Sequence, residues 1–154
     1  MSERGHDPAP MDAGDHQRLV RAAVELACES ARTGGGPFGA LVARAGTVLA
    51  TGTNRVTVDA DPTAHAEVVA IRAAARALAS HDLSGCVLYA SCEPCPMCWG
   101  AVQWSRIEAV WYAADREQAA AAGFDDRRFH DDLARPPQLR TVSAAHSRSL
   151  ERPA

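Results

Sequence analysis

The sequence predicts a three-layer α/β/α fold, in which helices cover both faces of a central mixed five-stranded sheet. Three observations support this fold class. Two short apolar runs near the N-terminus are separated by Arg44-Ala45-Gly46, which is a spacing typical of an antiparallel hairpin. Strand-like and helix-like segments then alternate along the chain. Finally, a chain of 154 residues that is 47% hydrophobic can fill the core of one domain.

The individual elements follow from apolar periodicity and from residues that break it. A helical pattern over 15–32 stops at Gly34-Gly35-Gly36-Pro37. An alanine-rich helical pattern over 64–79 follows Thr63, which is placed to cap it. Shorter helices are predicted over 95–104 and 116–122. The predicted strands cover 38–43, 47–53, 86–91, 108–113 and 139–142.

Composition limits the organisation and the class of partner. Residues 1–14 lack periodicity, so we expect a flexible leader followed by a single domain over 15–154. The formal net charge of −3 favours a small-molecule partner over nucleic acid. No stretch approaches the roughly 20 apolar residues that cross a bilayer, and no secretory signal is present. With five cysteines and no disulfide pattern, the sequence predicts a soluble, cytoplasmic protein.

Two short motifs, each at the predicted start of a helix, carry the chemistry. Cys95 and Cys98 are three residues apart, so they share a helix face and can bind one ion. The start of a helix also favours the thiolate form, which zinc requires. With His65 as the third ligand, a tetrahedral zinc ion keeps one position for water, as catalytic zinc sites do. We therefore expect one Zn²⁺ per chain.

Glu67 is the predicted catalytic residue. It lies two residues after His65, so the two side chains diverge by about 200° on an ideal helix. They can approach one ion only if it lies off the N-terminal end of that helix. Glu67 then stays free of the metal, where a carboxylate can take a proton from water and pass it on.

Simpler interpretations exist for several of these residues. A Cys-x-x-Cys pair alone is often a structural zinc site or a redox pair. Cys28 and Cys86 are predicted as small core residues, whereas Cys92 lies close to the site without an assigned role. A non-catalytic zinc-binding domain is an alternative, against which Glu67 argues. Surface positions are predicted for the remaining histidines, His6, His16, His81, His130 and His146.

The motifs and their flanking segments resemble the cytidine deaminase-like superfamily, and within it the bacterial guanine deaminases. The resemblance covers about 15–142. It implies the cytidine deaminase-like fold, a homodimer and hydrolytic deamination of guanine to xanthine and ammonia. The matching segments are 35–40, Asn54, 61–67, 91–98, Trp104 and 122–126.

The same resemblance implies which residues hold the ring. Asn54 is expected to hydrogen-bond the purine, Phe124 and Trp104 to wall it, and Asp126 to accept from its 2-amino and ring N–H groups. From the residues alone, Asp125 and Asp126 fit a solvated acidic turn, and Trp104 fits the core. The full predicted substrate-binding set is Phe38, Asn54, Ala66, Trp104, Phe124 and Asp126.

Two related activities share the zinc motifs. The tRNA adenosine deaminases usually carry Val where Phe38 stands and a basic C-terminal helix, whereas this chain has only scattered arginines near its end. A deaminase of another aminated ring, such as ammeline, isoguanine or a cytosine analogue, is the second alternative. Guanine deaminases of this type close the pocket with a C-terminal tail that carries an aromatic residue. This sequence shows no such tail before Ala154, so we expect a more open pocket.

Overall fold

A mixed sheet forms the centre of the protein. The computed structural model describes residues 10–145, so most of the predicted leader and the final residues 146–154 lie outside it. The strands are β1 (Gly36–Arg44), β2 (Thr47–Asn54), β3 (Cys86–Cys92) and β4 (Ala109–Ala114), in the spatial order β2-β1-β3-β4. β1 is antiparallel to β2 and β3, while β3 and β4 are parallel. The predicted mixed sheet is confirmed.

Five α-helices accompany the sheet, and none in the described part of the chain is long and apolar enough to cross a membrane. The first of them, α1, starts two residues before the predicted position and is capped by the Asp12 side chain. The helices are α1 (Ala13–Arg32), α2 (Ala66–Leu78), α3 (Pro96–Trp104), α4 (Arg116–Ala121) and α5 (Arg127–Ala134).

The helices pack on both faces of the sheet because alternate side chains of a strand point to opposite faces. Leu41 and Ala43 of β1 pack in a cluster with Leu19 of α1. Ala40 and Val42 belong to the larger cluster, which includes side chains of α2 and α3. The sheet is therefore covered by α1 on one face and by α2 and α3 on the other, as the predicted three-layer fold requires.

Gly52 of β2 allows α2 to lie directly on the sheet. A Cβ atom at this position would collide with the carbonyl oxygen of Ala66 and lie 2.5 Å from the backbone nitrogen of Ala70. Glycine is therefore required for this close approach. Because Ala66 stands between His65 and Glu67, the contact also fixes the start of α2 relative to the sheet.

The predicted fifth strand over 139–142 is wrong, and the described sheet has four strands. Pro137–Leu139 form a short 3₁₀ helix after Pro136, and proline has no N–H to donate to a strand ladder. The backbone N–H and the hydroxyl of Thr141 both donate to Asp132 Oδ1 at 2.9 Å. The segment is therefore held against α5.

Local side-chain chemistry explains two further differences from the predicted helices. Thr63 does not cap α2, because its N–H and hydroxyl donate to Asp61 Oδ1 at 2.8 and 2.7 Å. His65 occupies the N-cap position instead. Helix α5 was not predicted, because its eight residues carry only a short amphipathic pattern, with Phe129 and Leu133 four residues apart among charged side chains.

The structure also differs from the predicted positions of His16 and Cys28. The His16 ring stacks on Trp111 of β4 with centroids 4.3 Å apart, and its Nδ1 shares a 2.8 Å hydrogen bond with the Tyr89 hydroxyl. His16 thus joins α1 to the sheet, and its predicted surface position is wrong. Cys86 is buried as predicted, whereas Cys28 is exposed, so its predicted core position is wrong. His81 is exposed, and His6 and His146 lie outside the described residues.

We predict that Gly52→Ala destabilises the protein by about 1–3 kcal/mol, because the added methyl overpacks the contact between β2 and α2. Thermal unfolding of the zinc-loaded protein measures this effect. The matched control is Thr51→Ala, an exposed neighbour on the same strand, with an expected change within about 0.5 kcal/mol. Equal effects of the two substitutions would contradict the prediction.

Candidate active site

The N-terminal end of α2 presents His65 and Glu67. His65 is the N-cap residue in an extended conformation (φ −65°, ψ 152°), and its carbonyl accepts a hydrogen bond from the Val69 N–H at 2.9 Å. Its imidazole makes no capping hydrogen bond and can therefore extend beyond the N-terminal end of the helix. Glu67 lies in the first turn and is 8% exposed. Both side chains line one cavity, as the sequence predicts.

The N-terminal end of α3 presents Cys95 and Cys98 at the same place. Cys95 is the N-cap residue, Pro96 is the first helical residue, and Cys98 is fully buried in the first turn. Proline is favoured at this position because its missing N–H would have no partner inside the helix. Cys95 Sγ, Cys98 Sγ and His65 Nδ1 lie 3.5 Å from one another.

This triangle fits one Zn²⁺ ion per chain. With Zn–S bonds of about 2.3 Å and a Zn–N bond of about 2.0–2.1 Å, tetrahedral zinc separates its ligands by about 3.5–3.8 Å. One imidazole and two thiolates are also a donor set that suits zinc. When bound, zinc supplies the Lewis acidity that activates a water molecule near neutral pH. Cys92 is not part of this three-residue group.

The two ligand sulfurs lie 3.5 Å apart, and each shifts the pKa of the other. A hydrogen bond from the Cys98 thiol lowers the pKa of Cys95 to about 4, and the neighbouring His65 acts in the same direction. The pKa of Cys98 is raised, because its thiol donates to Cys95 and is buried. A metal ion that binds both sulfurs must displace this proton.

Burial sets the protonation properties of the two nearest groups. Desolvation raises the pKa of the Glu67 carboxyl, and the charge of Cys95 raises it further. A carboxyl with a raised pKa accepts a proton more readily than an exposed one and can return it in a later step. Burial also raises the pKa of the Cys92 thiol to about 11, which keeps this thiol protonated beside the metal ligands.

A cavity of about 490 Å³ opens beside the ligand triangle. His65, Glu67 and Cys95 form its metal-binding end. The structure also brings five of the six predicted substrate-binding residues to its walls. These five residues are Phe38, Asn54, Ala66, Phe124 and Asp126.

The Asn54 side chain has a fixed orientation in this cavity. Its Oδ1 accepts a hydrogen bond from the Val56 N–H at 3.1 Å, which leaves the Nδ2 group to donate into the cavity. A Cβ atom at Gly36 would lie 2.8 Å from Asn54 Cγ, so the glycine provides the space that the amide occupies. Asn54 therefore presents a donor to a bound molecule.

Phe38 and Phe124 form an aromatic wall of the cavity. Their rings meet edge to face, with centroids 5.0 Å apart and planes at 85°. A second cavity of about 360 Å³ lies behind them and is lined almost entirely by apolar side chains of α1, α4 and neighbouring segments. Both phenylalanines and Cys92 border the two cavities.

Residues 13–114 match the family model described as the cytidine and deoxycytidylate deaminase zinc-binding region. The chain belongs to this family. The match includes His65, Glu67, Cys95 and Cys98, and it ends before Phe124. The predicted cytidine deaminase-like fold, with a zinc site that serves hydrolytic deamination, is therefore confirmed.

Several members of this deaminase family are similar to the chain over most of its length. The guanine deaminase of Bacillus subtilis is 50% identical over 129 residues, which are 83% of each chain. The X-ray structure of the Bacillus subtilis enzyme superposes with a TM-score of 0.83 at 47% identity, covering 89% of this chain and 86% of that one.

Two further relatives are more distant. The tRNA-specific adenosine deaminase of Haemophilus influenzae is 35% identical over 133 residues, covering 82% of this chain and 77% of the relative. The structure of guanine deaminase from Nitrosomonas europaea has a TM-score of 0.70 at 36% identity, covering 79% and 69% of the two chains. Zinc deaminases of the family thus include both free-base and tRNA enzymes.

Trp104, which was predicted to wall the ring, is the one member of the predicted substrate-binding set that is not among the cavity-lining residues of the described chain. Trp104 is the last residue of α3, is 89% exposed and does not line the cavity. An α-helix carries a side chain six residues beyond Cys98 about 9 Å further along the axis and about 240° around it. Trp104 therefore points away from the metal ligands.

Two residues that line the cavity, and one residue beside it, were not predicted from the sequence. Glu93 and Arg116 line it, and Glu93 Oε2 accepts a hydrogen bond from the Arg116 backbone N–H at 3.0 Å. His130, predicted at the surface, is half-buried and lies 3.0 Å from Asp126. Asp126 and His130 are four residues apart, which predicts a side-chain contact only if the segment is a helix. Because α5 was not predicted, this contact was not predicted either.

We predict that the purified protein binds one zinc ion per chain and that Cys98→Ala abolishes stoichiometric zinc. Removing one of three ligands leaves a buried, incomplete donor set. Metal analysis after dialysis measures the zinc content. Cys92→Ala is the matched control, because this neighbouring cysteine lies outside the triangle and should keep the full zinc content. Loss of zinc from the Cys92 variant alone would contradict the ligand assignment.

Proposed function

We propose that this chain is a zinc-dependent guanine deaminase, which converts guanine and water to xanthine and ammonia. The observation that carries the proposal is the position of Asn54 and Asp126 on the cavity that holds the zinc ligands. One offers a hydrogen-bond donor and the other a pair of acceptor oxygens. The 50% identity to the Bacillus subtilis enzyme supports the same substrate.

Guanine is chemically complementary to these walls. Its N1–H and 2-amino groups are adjacent donors, which the carboxylate of Asp126 can accept. Its ring nitrogens and O6 are acceptors, to which Asn54 can donate through Nδ2. Phe38 and Phe124 offer the flat base an aromatic wall. We assign these four residues and Ala66, which also lines the cavity, to substrate binding.

Glu67 performs the proton transfers in the proposed reaction. Water adds to C2 of the ring, and Glu67 takes the proton that this water releases. Glu67 delivers this proton to the ring nitrogen, then takes the second proton from the hydroxyl on C2 and delivers it to the departing amine, so that the C2–N bond breaks, the C2 carbonyl forms and ammonia leaves. One water is consumed, and the carboxyl returns to its starting state. Burial beside the cavity keeps this carboxyl away from bulk water.

Ammonia release from a panel of substrates tests the proposed function. The zinc protein is offered guanine, ammeline, isoguanine, cytosine, cytidine and an adenosine-containing anticodon hairpin in parallel. Guanine should turn over fastest, because its N1–H and 2-amino donors match Asp126 and its acceptor atoms match Asn54. Faster turnover of the hairpin would assign the chain to tRNA deamination instead. Faster turnover of another ring would keep the chemistry and remove guanine as the substrate.

We predict that Glu67→Gln lowers kcat on guanine by about 10²–10⁴-fold while the zinc content stays at one per chain. The amide keeps the volume of the side chain but cannot exchange protons. Steady-state ammonia release and metal analysis on the same sample measure the two quantities. Unchanged ammonia release from the zinc-loaded variant would remove Glu67 from the mechanism.

The single-domain organisation and the compartment are also proposals. We assign the catalytic unit to residues 15–154, and one continuous sheet with helices on both faces supports this over the described range. We place the protein in the cytoplasm. All five cysteines are free in the structure, and two of them are used as zinc ligands, as suits a reducing compartment.

A homodimer formed through α3 completes the proposal. Met97 and Trp104 are seven residues apart on this helix, so they share one side, and they are 38% and 89% exposed. The helix has no charged residue. An exposed apolar face of this kind is typical of a protein interface.

We predict that the wild-type protein sediments as a dimer and that Trp104→Glu shifts it towards monomer, because a charge would be buried at the interface. Analytical ultracentrifugation at several concentrations measures the change. Leu139→Glu is the matched control, since Leu139 is also exposed, at 66%, but lies outside α3. A monomeric wild type, or equal effects of the two substitutions, would contradict an α3 interface.

A further inference from the structure

A histidine holds the carboxylate that faces the cavity. His130 Nε2 lies 3.0 Å from Asp126 Oδ2, one turn along α5, and the two side chains are 24% and 23% exposed. Asp126 is the N-cap residue of α5, yet its side chain makes no capping hydrogen bond. The hydrogen bond that an N-cap aspartate usually accepts from the helix backbone is replaced by one from an imidazole.

The neighbouring Asp125 has no histidine partner in the described chain and forms an ion pair instead. Both of its oxygens are engaged by the Arg127 guanidinium, at distances of 2.6–3.1 Å. Asp126 differs because only Oδ2 is used. Within residues 10–145, its Oδ1 accepts no hydrogen bond and belongs to a residue that lines the cavity. The two carboxylates of this turn therefore differ. Asp125 forms a surface ion pair, whereas Asp126 keeps Oδ1 available for a further hydrogen bond.

An anchored carboxylate has an advantage over a freely rotating one. A side chain that is ordered before the ligand arrives loses less conformational entropy on binding. The hydrogen bond to Oδ2 also leaves the lone pairs of Oδ1 available to accept hydrogen bonds from N–H groups. His130 supplies both effects without occupying the cavity, whose lining residues do not include it.

We propose that His130 is a positioning residue, which holds Asp126 Oδ2 so that Oδ1 faces the cavity and accepts N–H donors of an aminated ring. This inference rests on the proposed function and deepens it, because it identifies how the recognition of ring donors is prepared. His130 acts through Asp126 and does not itself touch the substrate.

A double-mutant cycle tests this dependence. The variants are His130→Phe, Asp126→Ala and the combination of both, measured as kcat/KM for ammonia release from guanine. His130→Phe should lower kcat/KM by about 10-fold, mainly through KM, since a hydrogen bond to a charged group is worth about that factor or more. Asp126→Ala should lower kcat/KM by a larger factor than His130→Phe. The double variant should match Asp126→Ala within about twofold, because His130 has nothing left to hold.

A second variant distinguishes the effect of the N–H donor from the effect of the side-chain volume. His130→Gln places an amide N–H near the position of Nε2 and should recover kcat/KM to within about threefold of wild type. His130→Phe keeps the volume and lacks the donor. The control is His81→Phe, at an exposed histidine away from the cavity, which should leave kcat/KM unchanged. Zinc content and thermal unfolding of every variant show that it is folded and loaded.

Several outcomes would overturn the inference. A 10-fold loss from His130→Phe that recurs in the Asp126→Ala background would mean that His130 acts independently of Asp126. Equal activity of the Gln and Phe variants would exclude the role of the donor. Wild-type turnover is measured first: if another ring of the panel is used in place of guanine, the guanine assignment fails, and the same cycle on that ring still tests His130. If the wild-type protein neither deaminates nor binds any ring of the panel, both the proposed function and the role of His130 are overturned.

Discussion

The meeting of two helix N-termini at one point determines the rest of this structure. The N-cap residues of α2 and α3 are His65 and Cys95, and neither uses its side chain to cap its own helix. Both side chains are turned to a common site instead. Helix N-termini carry partial positive charge, which stabilises the thiolates gathered there. Gly52 and Pro96 hold the two helix starts in place, so packing in the core and chemistry at the site depend on the same residues.

The zinc ligands and the carboxylate proposed to recognise the ring come from different parts of the chain. The zinc ligands and Glu67 lie within the family match over 13–114. Asp126 and His130 lie beyond it, in the turn and helix that follow α4. The part of the chain that matches the family model therefore contains the residues assigned to zinc binding and proton transfer. In the proposed function, the segment that follows contributes Asp126 to ring recognition, and relatives of this chain include a guanine deaminase and a tRNA-specific adenosine deaminase.

The sequence was sufficient for features that depend on local patterns. The ligand triangle could be predicted because a Cys-x-x-Cys spacing at a helix start has one geometric solution. Strands β1 to β4 could be predicted from short apolar runs between turn residues. The remainder depends on tertiary contacts. The 139–142 segment contacts α5 through Asp132, and His130 acquires its partner only when α5 forms. Trp104 was placed by resemblance, whereas its position follows from the rotation of α3 beyond Cys98.

The aromatic wall lies between two cavities of the described chain. Phe38 and Phe124 separate the cavity beside the zinc ligands from an apolar space of about 360 Å³. This partition is made of side chains, not of backbone, and neither phenylalanine belongs to the zinc triangle. A shorter residue at 124 would join the two spaces while the metal ligands stayed in place. The boundary of the substrate range can therefore shift in evolution by one substitution, without a loss of the catalytic apparatus.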